Sequence, residues 1–349
     1  MRFDHDLAFM LRYENIAWYD EEKALVRILD RRIYPIRTEF VNCHSHGEVA
    51  EAIAKMVTQS YGPYTAAAMG MALAARECAG QSRDRQMAHL QTAASCLASA
   101  RPTTAKQMQR ITQRALDAAS HALDAGESHL DRRLFELAVE ALEEKYRNIE
   151  RQGKELVSFF PAIGRVMTQC FADTVIGMML RACRAEGKEI EFFCPETRPF
   201  YQGSRLTASV ICDMGFPVTV ICDNMPAFTL EHKSIDLFTS ASDVITLDGH
   251  IINKVGTFQI ALAASHFGIP YYCTGNPDCD HPDLSTIVIE ERKPEEVLES
   301  MGQRLVMDGV QAYYPAFDIT PPELCRAIVT TRGSFAPKQV ADFFQSTAD

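Results

Sequence analysis

Residues 234–256, SIDLFTSASDVITLDGHIINKVG, decide the fold of this chain. The run IDLFT at 235–239 is short and mostly apolar, which is typical of a buried parallel strand that ends near Ser240. Asp248 and Gly249 predict a turn after that strand. The pattern then predicts a helix from about residue 253 onward.

Three side chains of this stretch carry candidate chemistry. Asp243 lies just past the end of the predicted strand, and Asn253 and Lys254 lie where the helix is predicted to begin. In doubly wound α/β sheets, ligands bind at the carboxyl ends of strands, beside helix N-termini that favour phosphate. The stretch therefore predicts a phosphate-binding site, although a capped helix with one solvated lysine would give the same pattern.

The rest of the second half repeats the same rhythm. Helical runs such as 174–186 alternate with strand-like runs at 190–193, 218–222, 235–239 and 270–273. Alternation of this kind predicts a Rossmann-like α/β fold, with a parallel sheet covered by helices on both faces.

The first half has a different character. Residues 16–18 and 24–29 flank a turn-like segment and predict a small antiparallel hairpin, followed by helices with a break at Tyr61-Gly62-Pro63. Residues 129–152 form a long, charged amphipathic pattern that predicts a helix leading into the second domain. The predicted organisation is a smaller N-terminal α+β domain, 1–150, and a catalytic domain, 151–349.

Composition limits the classes of function. The chain has 349 residues, 47% hydrophobic and 23% charged, with a net charge of −11. These values are typical of a soluble globular protein; the acidic balance argues against a nucleic-acid partner, and no apolar run is long enough for a membrane span. Eleven scattered cysteines without an export signal predict reduced thiols in a cytoplasmic protein.

The sequence predicts neither a cofactor nor a metal. No phosphate-binding glycine loop and no G-x-G-x-x-G pattern follows a strand. Cys43-His44-Ser45-His46 and the segment 273–281 contain possible metal ligands, but neither has a paired CxxC partner elsewhere.

Cys170 is a further candidate. It lies in a strand-like run, 165–170, that leads into the predicted helix at 174–186. A thiol at a helix N-terminus is expected to have a lowered pKa and to form a thiolate readily. The alternative is that the cysteine is a small buried hydrophobic residue.

Several segments together resemble the methylthioribose-1-phosphate isomerase family. They are 240–273 around Asn253-Lys254, ETRPFYQGSRLTA (196–208), VICDNM (220–225), IVIEERKPEEV (287–297) and YPAFDITPPEL (314–324). These segments follow one another in the same order as in the family, and together they extend through most of the C-terminal half. The same superfamily includes archaeal ribose-1,5-bisphosphate isomerases and the regulatory subunits of the translation-initiation exchange factor.

The resemblance implies roles for individual residues. It implies a catalytic cysteine and a catalytic aspartate, a pair that the exchange-factor subunits lack, together with side chains that bind a phosphorylated sugar. In this chain these are Cys170 and Asp243 for catalysis, and Arg101, Gln202, Asn253 and Lys254 for substrate binding. It also implies a homodimer, paired through the C-terminal domains.

The chain departs from the family pattern at three places. Gln169 replaces a histidine next to the cysteine, His250 replaces an aspartate, and the stretch 59–63, QSYGP, replaces Arg-Gly-Ala-Pro. The lost arginine would hold phosphate, so its absence predicts a shift of substrate toward a related sugar 1-phosphate.

The sequence therefore predicts an aldose–ketose isomerase acting on 5-methylthioribose 1-phosphate or a close analogue, as in methionine salvage, without a cofactor. Two alternatives stay open. One is an isomerase of 5-deoxyribose or ribose 1-phosphate, and the other is a non-catalytic regulatory homologue of the exchange-factor subunits.

Overall fold

The structure, a computed structural model, describes residues 2–101 and 105–345. The chain divides into two units, Met1–Arg147 and Asn148–Asp349. Across the described ranges, no helix combines the length and the apolar character that crossing a bilayer requires.

The first unit joins a small sheet to a set of helices. Within residues 2–101 the strands form one antiparallel sheet in the order β1-β2-β3, so the predicted hairpin is confirmed and a third strand extends it. The strands are β1 (Ala17–Asp20), β2 (Leu25–Leu29) and β3 (Phe40–Cys43). The helices are α1 (His46–Ala54), α2 (Gly62–Glu77), α3 (Arg83–Ser99) and α4 (Ala105–Asp124), and α5 (Leu130–Val157) begins in this unit and ends in the second.

Helix α2 lies at the centre of this unit's core. Its sequence, GPYTAAAMGMALAARE, is apolar around most of its circumference, and nearly all of its residues are buried. A helix that is apolar all round is a helix packed on all sides. Gly62 begins it and Pro63 lies in its first turn, where proline is common, and this explains the predicted break at residues 61–63.

The second unit is built on a mainly parallel sheet. Within residues 148–345, seven strands pair in the order β15-β14-β10-β7-β4-β5-β6, and the β14–β15 pair is antiparallel. The strands are β4 (Ile163–Met167), β5 (Glu189–Pro195), β6 (Val218–Ile221), β7 (Leu237–Ala241), β10 (Tyr271–Thr274), β14 (Ala327–Thr330) and β15 (Gly333–Phe335). The central strands β7, β10 and β14 are almost completely buried, as is typical of parallel strands covered on both faces. The predicted α/β fold class is confirmed.

Helices and a second sheet complete this unit. The helices are α6 (Thr174–Ala185), α7 (Ala208–Asp213), α8 (Pro226–His232), α9 (Thr257–His266) and α10 (Glu295–Leu298). The remaining strands are β8 (Val244–Ile245), β9 (Ile251–Lys254), β11 (Glu299–Ser300), β12 (Gln303–Arg304) and β13 (Phe317–Thr320). Strand β9 pairs antiparallel with both β8 and β13.

One predicted element is wrong. Asn253 and Lys254 end strand β9 and do not begin a helix, since α9 begins only at Thr257. Gly256, with φ of 102°, makes the turn between strand and helix. The local pattern did not reveal the strand because its pairing partner, β13, lies more than 60 residues further along the chain.

Candidate active site at the carboxyl edge of the parallel sheet

The strand order reverses between β4 and β7. From β4 the chain proceeds through β5 to β6 in one direction, and from β7 through β10 to β14 in the other. The two strands are neighbours and parallel, with Met167 beside Phe238. A crevice forms where strand order reverses in open α/β sheets, and ligands bind there. Cys170 follows β4 and Asp243 follows β7, so both predicted catalytic residues come from this switch point.

Cys170 lies in a backbone turn and not at a helix N-terminus. Its φ is 56°, in the left-handed region, and Asp173 at φ of 49° precedes the first residue of α6. The hydroxyl of Thr207 donates a hydrogen bond to the Cys170 carbonyl oxygen and holds the turn. A non-glycine residue in this region is strained, and such strain is common at functional sites.

The thiol of Cys170 is protonated in the free protein. Burial raises its pKa to about 11, while the positive charge of Lys254 acts in the opposite direction and the negative charge of Asp243 adds to the rise. The lowered pKa predicted from a helix N-terminus is therefore wrong, because desolvation outweighs the nearby positive charge. These electrostatic effects also show that Cys170, Asp243 and Lys254 belong to one neighbourhood.

Asp243 is held by its backbone. Its amide donates to the carbonyl oxygen of Ile252 at 2.8 Å, which joins the end of β7 to strand β9. Asp243 is exposed, whereas Cys170 is half-buried. Asp243 is exposed because it lies beyond the strand end, where the sheet no longer covers it.

Asn253 and Lys254 are buried on strand β9. The Asn253 amide nitrogen donates to Thr257 Oγ1 at 3.0 Å, and Thr257 Oγ1 in turn donates to the Lys254 carbonyl oxygen at 2.7 Å. The Lys254 ammonium donates to the Ala316 carbonyl oxygen at 3.0 Å and lies 4.8 Å from the centre of the Phe317 ring. Burial lowers the pKa of Lys254, and Cys170 and Asp243 oppose that shift.

The N-terminus of α9 is already occupied by a carboxylate. Asp318 accepts hydrogen bonds from the amides of Gly256 at 2.6 Å and of Phe258 at 3.2 Å. Burial raises the pKa of Asp318 to about 6, although both amides and Lys254 favour its charged form. A phosphate at this edge would therefore have to bind groups other than these two amides.

Two glutamines present unpaired carbonyl oxygens. Gln202 and Gln169 are both buried, and within the described part of the chain neither side-chain Oε1 atom has a hydrogen-bond partner. Gly203 fixes the position of Gln202, because a Cβ atom there would lie 1.8 Å from the Pro195 carbonyl oxygen. The Gln169 nitrogen donates to the Val255 carbonyl oxygen at 3.3 Å, beside the Asn253-Lys254 segment. Buried acceptors without donors are costly unless a ligand supplies the donor, and sugar hydroxyls are such donors.

Sequence reasoning did not select Arg292. Its Nε donates to Glu290 Oε1 at 3.0 Å, and its charge acts on both Cys170 and Lys254. Burial is the largest single effect and works against its charge, but the hydrogen bond and negative charge of Glu290, together with Tyr314, outweigh burial and keep the pKa of Arg292 raised. The segment 287–297 places acidic residues next to basic ones. Only the fold brings Arg292 of this segment near Cys170 and Lys254.

Arg101 belongs to the first unit. It follows the end of α3, is half-buried, and directly precedes residues outside the described ranges. Its role as a substrate-binding residue stays a prediction.

The stretch that replaces the family's Arg-Gly-Ala-Pro lies in the same unit and has two cations beside it. Arg31 donates to the Gln59 carbonyl oxygen at 2.9 Å, and the Lys145 ammonium lies 3.5 Å from the centre of the Tyr61 ring. Sequence reasoning named neither of these two residues.

An open, mainly parallel sheet with a cysteine and an aspartate at its switch point defines an α/β protein with a candidate ligand site at the carboxyl edge of the sheet. The chain belongs to the initiation factor 2 subunit family, whose model matches residues 59–337. The predicted family is confirmed.

Individual relatives of the chain are methylthioribose-1-phosphate isomerases. The methylthioribose-1-phosphate isomerase of Heliobacterium modesticaldum is 33% identical over 339 residues, covering 93% of this chain and 96% of the relative. That of Anaeromyxobacter dehalogenans is 36% identical over 330 residues, covering 90% and 92%.

Solved structures agree with this assignment. The crystal structure of 5-methylthioribose 1-phosphate isomerase from Pyrococcus horikoshii matches with a TM-score of 0.85 and 27% identity over 99% of both chains. The subunit delta of translation initiation factor eIF-2B from A. fulgidus matches with a TM-score of 0.79 and 31% identity, covering 93% of this chain and 96% of that one.

Proposed function

We propose that this protein is an aldose–ketose isomerase that converts 5-methylthioribose 1-phosphate to the corresponding ribulose 1-phosphate, as in methionine salvage. The observation that carries the proposal is the electrostatic neighbourhood of Cys170, Asp243 and Lys254 at the switch point of the sheet. The predicted isomerase function is supported by relatives of that name that align over nearly the whole chain.

The proposed chemistry needs two proton carriers. In the reactive form, the proton of the Cys170 thiol has passed to Asp243, so the pair is a thiolate and a protonated carboxyl group. Asp243 donates this proton to the ring oxygen as the bond between that oxygen and C1 breaks. Cys170 as thiolate removes the proton from C2, and the electron pair forms the double bond between C1 and C2 of an enol. Asp243 then takes the proton of the C2 hydroxyl while Cys170 returns its proton to C1, so both residues end in their starting forms.

Two features of the site support these roles. The carboxylate of Asp243 is exposed and can reach ring and hydroxyl oxygens, whereas the half-buried thiol suits a proton transfer between carbon atoms. Lys254 lowers the cost of forming the thiolate, because its charge stabilises negative charge on the sulfur. Closing the site around a substrate would exclude water from the enol intermediate.

Substrate contacts are proposed from the same edge of the sheet. Gln202 is proposed to accept a hydrogen bond from a sugar hydroxyl through its buried, unpaired carbonyl oxygen, and the buried side chains of Asn253 and Lys254 are proposed as further contacts. The positive charges of Lys254 and Arg292 are the proposed partners of the phosphate in this unit.

Two broader features belong to the same proposal. All eleven cysteines lie in the described ranges and are free, which suits a cytoplasmic enzyme. The protein is also proposed to be a homodimer.

A coupled assay tests the proposal. The purified chain should isomerise 5-methylthioribose 1-phosphate, with a higher kcat/KM than for ribose 1-phosphate or 5-deoxyribose 1-phosphate. A preference of about tenfold or more for the methylthio sugar would mean that the altered stretch 59–63 is neutral for specificity. The reverse preference would support the predicted shift of substrate, and no turnover of any of the three sugars would contradict the proposed function.

A further inference from the structure

Three helices of the first unit bring two imidazoles and one carboxylate together. His46 Nδ1 lies 2.5 Å from Glu77 Oε2, and His89 Nε2 lies 2.8 Å from the same oxygen. These three atoms all lie within 4.8 Å of one another. The two imidazole rings are nearly perpendicular, with centroids 5.2 Å apart, so their nitrogens converge without the rings stacking.

Local sequence fixes each of the three positions. Ser45 caps α1 by accepting a hydrogen bond from the Glu48 amide at 3.2 Å, and Glu48 accepts one from the His44 amide at 2.8 Å. These two hydrogen bonds hold the start of α1, whose first residue is His46. Glu77 is the last residue of α2, and His89 lies in the second turn of α3.

The backbone also orients the carboxylate. The amide of His46 donates a hydrogen bond to Glu77 Oε1 at 2.7 Å. The other carboxylate oxygen, Oε2, contacts both imidazoles. The three side chains are half-buried, with 17%, 19% and 31% of their surfaces exposed for His46, Glu77 and His89. They are therefore ordered by their neighbours and still reachable from solvent.

We propose that His46, Glu77 and His89 form a binding site for a divalent transition-metal ion, with Zn²⁺ as the expected occupant. Two imidazole nitrogens and one carboxylate oxygen are a known ligand set for zinc, and the nitrogens disfavour Mg²⁺ and Ca²⁺, which prefer oxygen. Three protein ligands leave a fourth position for water.

Metal binding requires small side-chain movements, because the two imidazole nitrogens lie within 4.8 Å of each other and both lie closer than that to Glu77 Oε2. Ligand atoms of a tetrahedral zinc site, each about 2.0–2.2 Å from the metal, lie about 3.3 Å from one another. The two present separations are 2.5 and 2.8 Å, so each imidazole would withdraw by less than about 1 Å. Without metal, Glu77 Oε2 accepts hydrogen bonds from the two imidazole rings. With metal, the cation would lie between Oε2 and the two ring nitrogens in place of the hydrogen atoms.

The sequence could not reveal this site. The two histidines are 43 positions apart, on different helices, and the carboxylate lies between them without a motif. The pattern considered above, Cys43-His44-Ser45-His46, contributes only its last residue to the three proposed ligands.

Metal binding to the intact protein tests the proposal. Protein freed of metal with a chelator and dialysed should bind one equivalent of Zn²⁺ by calorimetry. It should bind one equivalent of Co²⁺ with the visible absorption bands of a tetrahedral site. His46→Gln and His89→Gln should each lower the affinity by more than about 100-fold, since each removes a direct ligand.

Control variants separate this site from other possible ligands. His121→Gln removes an exposed histidine outside the cluster, and Asp280→Asn disrupts the exposed group Asp278-Cys279-Asp280. Both should bind Zn²⁺ like the wild type. Glu77→Gln keeps an acceptor for the His46 amide but loses the anionic ligand, so it should fold and bind weakly.

Circular dichroism verifies the fold of every variant. Absence of stoichiometric binding to the wild-type chain would overturn the proposal, whatever the variants do. Undiminished binding by all three ligand variants would also overturn it.

Discussion

Lys254 and Cys170 each reduce the electrostatic cost of the other's charged form at the carboxyl edge of the sheet. Burial raises the pKa of the Cys170 thiol to about 11 and lowers the pKa of the Lys254 ammonium. The positive charge of Lys254 acts against the first shift, and the cysteine acts against the second. The pair thus links thiolate formation to a lysine whose ammonium is fixed by the Ala316 carbonyl oxygen.

Removing the lysine charge should therefore make the thiol less reactive. In Lys254→Met, the pKa of Cys170 rises further, so its alkylation by iodoacetamide at pH 8 should slow by about tenfold, the effect of about one pKa unit. Mass spectrometry of the peptide that contains Cys170 follows this residue among the eleven cysteines. Lys233→Met, which alters an exposed lysine, is the control and should react at the wild-type rate. Equal rates in both variants would remove Lys254 from any role in activating the thiol.

The two proposed proton carriers should be needed for turnover but not for folding. Cys170→Ser and Asp243→Asn are each expected to lower kcat by a factor on the order of 10² to 10⁴, the usual contribution of a positioned acid or base. Thermal unfolding should stay close to that of the wild type. Cys212→Ser changes an exposed cysteine and should keep full activity. Near-normal turnover in either active-site variant would show that its assigned role is wrong.

The carboxylate that caps α9 predicts a pH-dependent stability. Burial raises the pKa of Asp318 to about 6, so the folded chain holds this proton more tightly than the unfolded chain does. Its contribution to stability is greatest below about pH 4 and is lost as the pH rises through about 6. Asp318→Asn abolishes this titration, so its free energy of unfolding relative to the wild type should improve by about 1 kcal/mol between pH 5 and pH 8.

Urea unfolding at the two pH values measures that difference. Asp308→Asn, at an exposed carboxylate, provides the matched control and should show no such trend. A parallel pH dependence in the Asp318→Asn variant and the wild type would contradict the raised pKa.

The chain is expected to form a homodimer through its second unit. Leu262 on α9 is 47% exposed and Tyr313 is 70% exposed, so both side chains are available to contact a second copy of the chain. Sedimentation at micromolar concentration should give the mass of two chains, and Leu262→Asp or Tyr313→Asp should shift the equilibrium toward monomer. Ile36→Asp changes an exposed apolar residue of the first unit and should leave the dimer intact. A monomeric wild-type chain would contradict the expectation directly.

Much of this architecture follows from local sequence. The apolar runs of β5, β7 and β10, the helix α6 between strands, and the break before α2 are all encoded within short windows, since burial on both faces requires continuous apolar strands. The motifs of this chain occur in the same order as in the isomerase family, and this resemblance identified Cys170, Asp243 and Gln202 as candidates without any three-dimensional information.

Tertiary structure decided the properties that depend on distant partners. Strand β9 exists because β13 pairs with it, so Lys254 lies on a buried strand and not on a solvated helix. The pKa of Cys170 is raised because the surrounding fold removes water, an effect that no neighbouring residue in the sequence could indicate.

Arg292 and the cluster around Glu77 make the same point. Arg292 acts on Lys254, and Glu77 meets His46, only through the fold, because more than 30 positions separate the residues of each pair. Periodicity determines which segments become strands and helices, because it sets which face of each is buried. Long-range pairing determines which side chains meet and how strongly they lose water, and therefore their charge and reactivity.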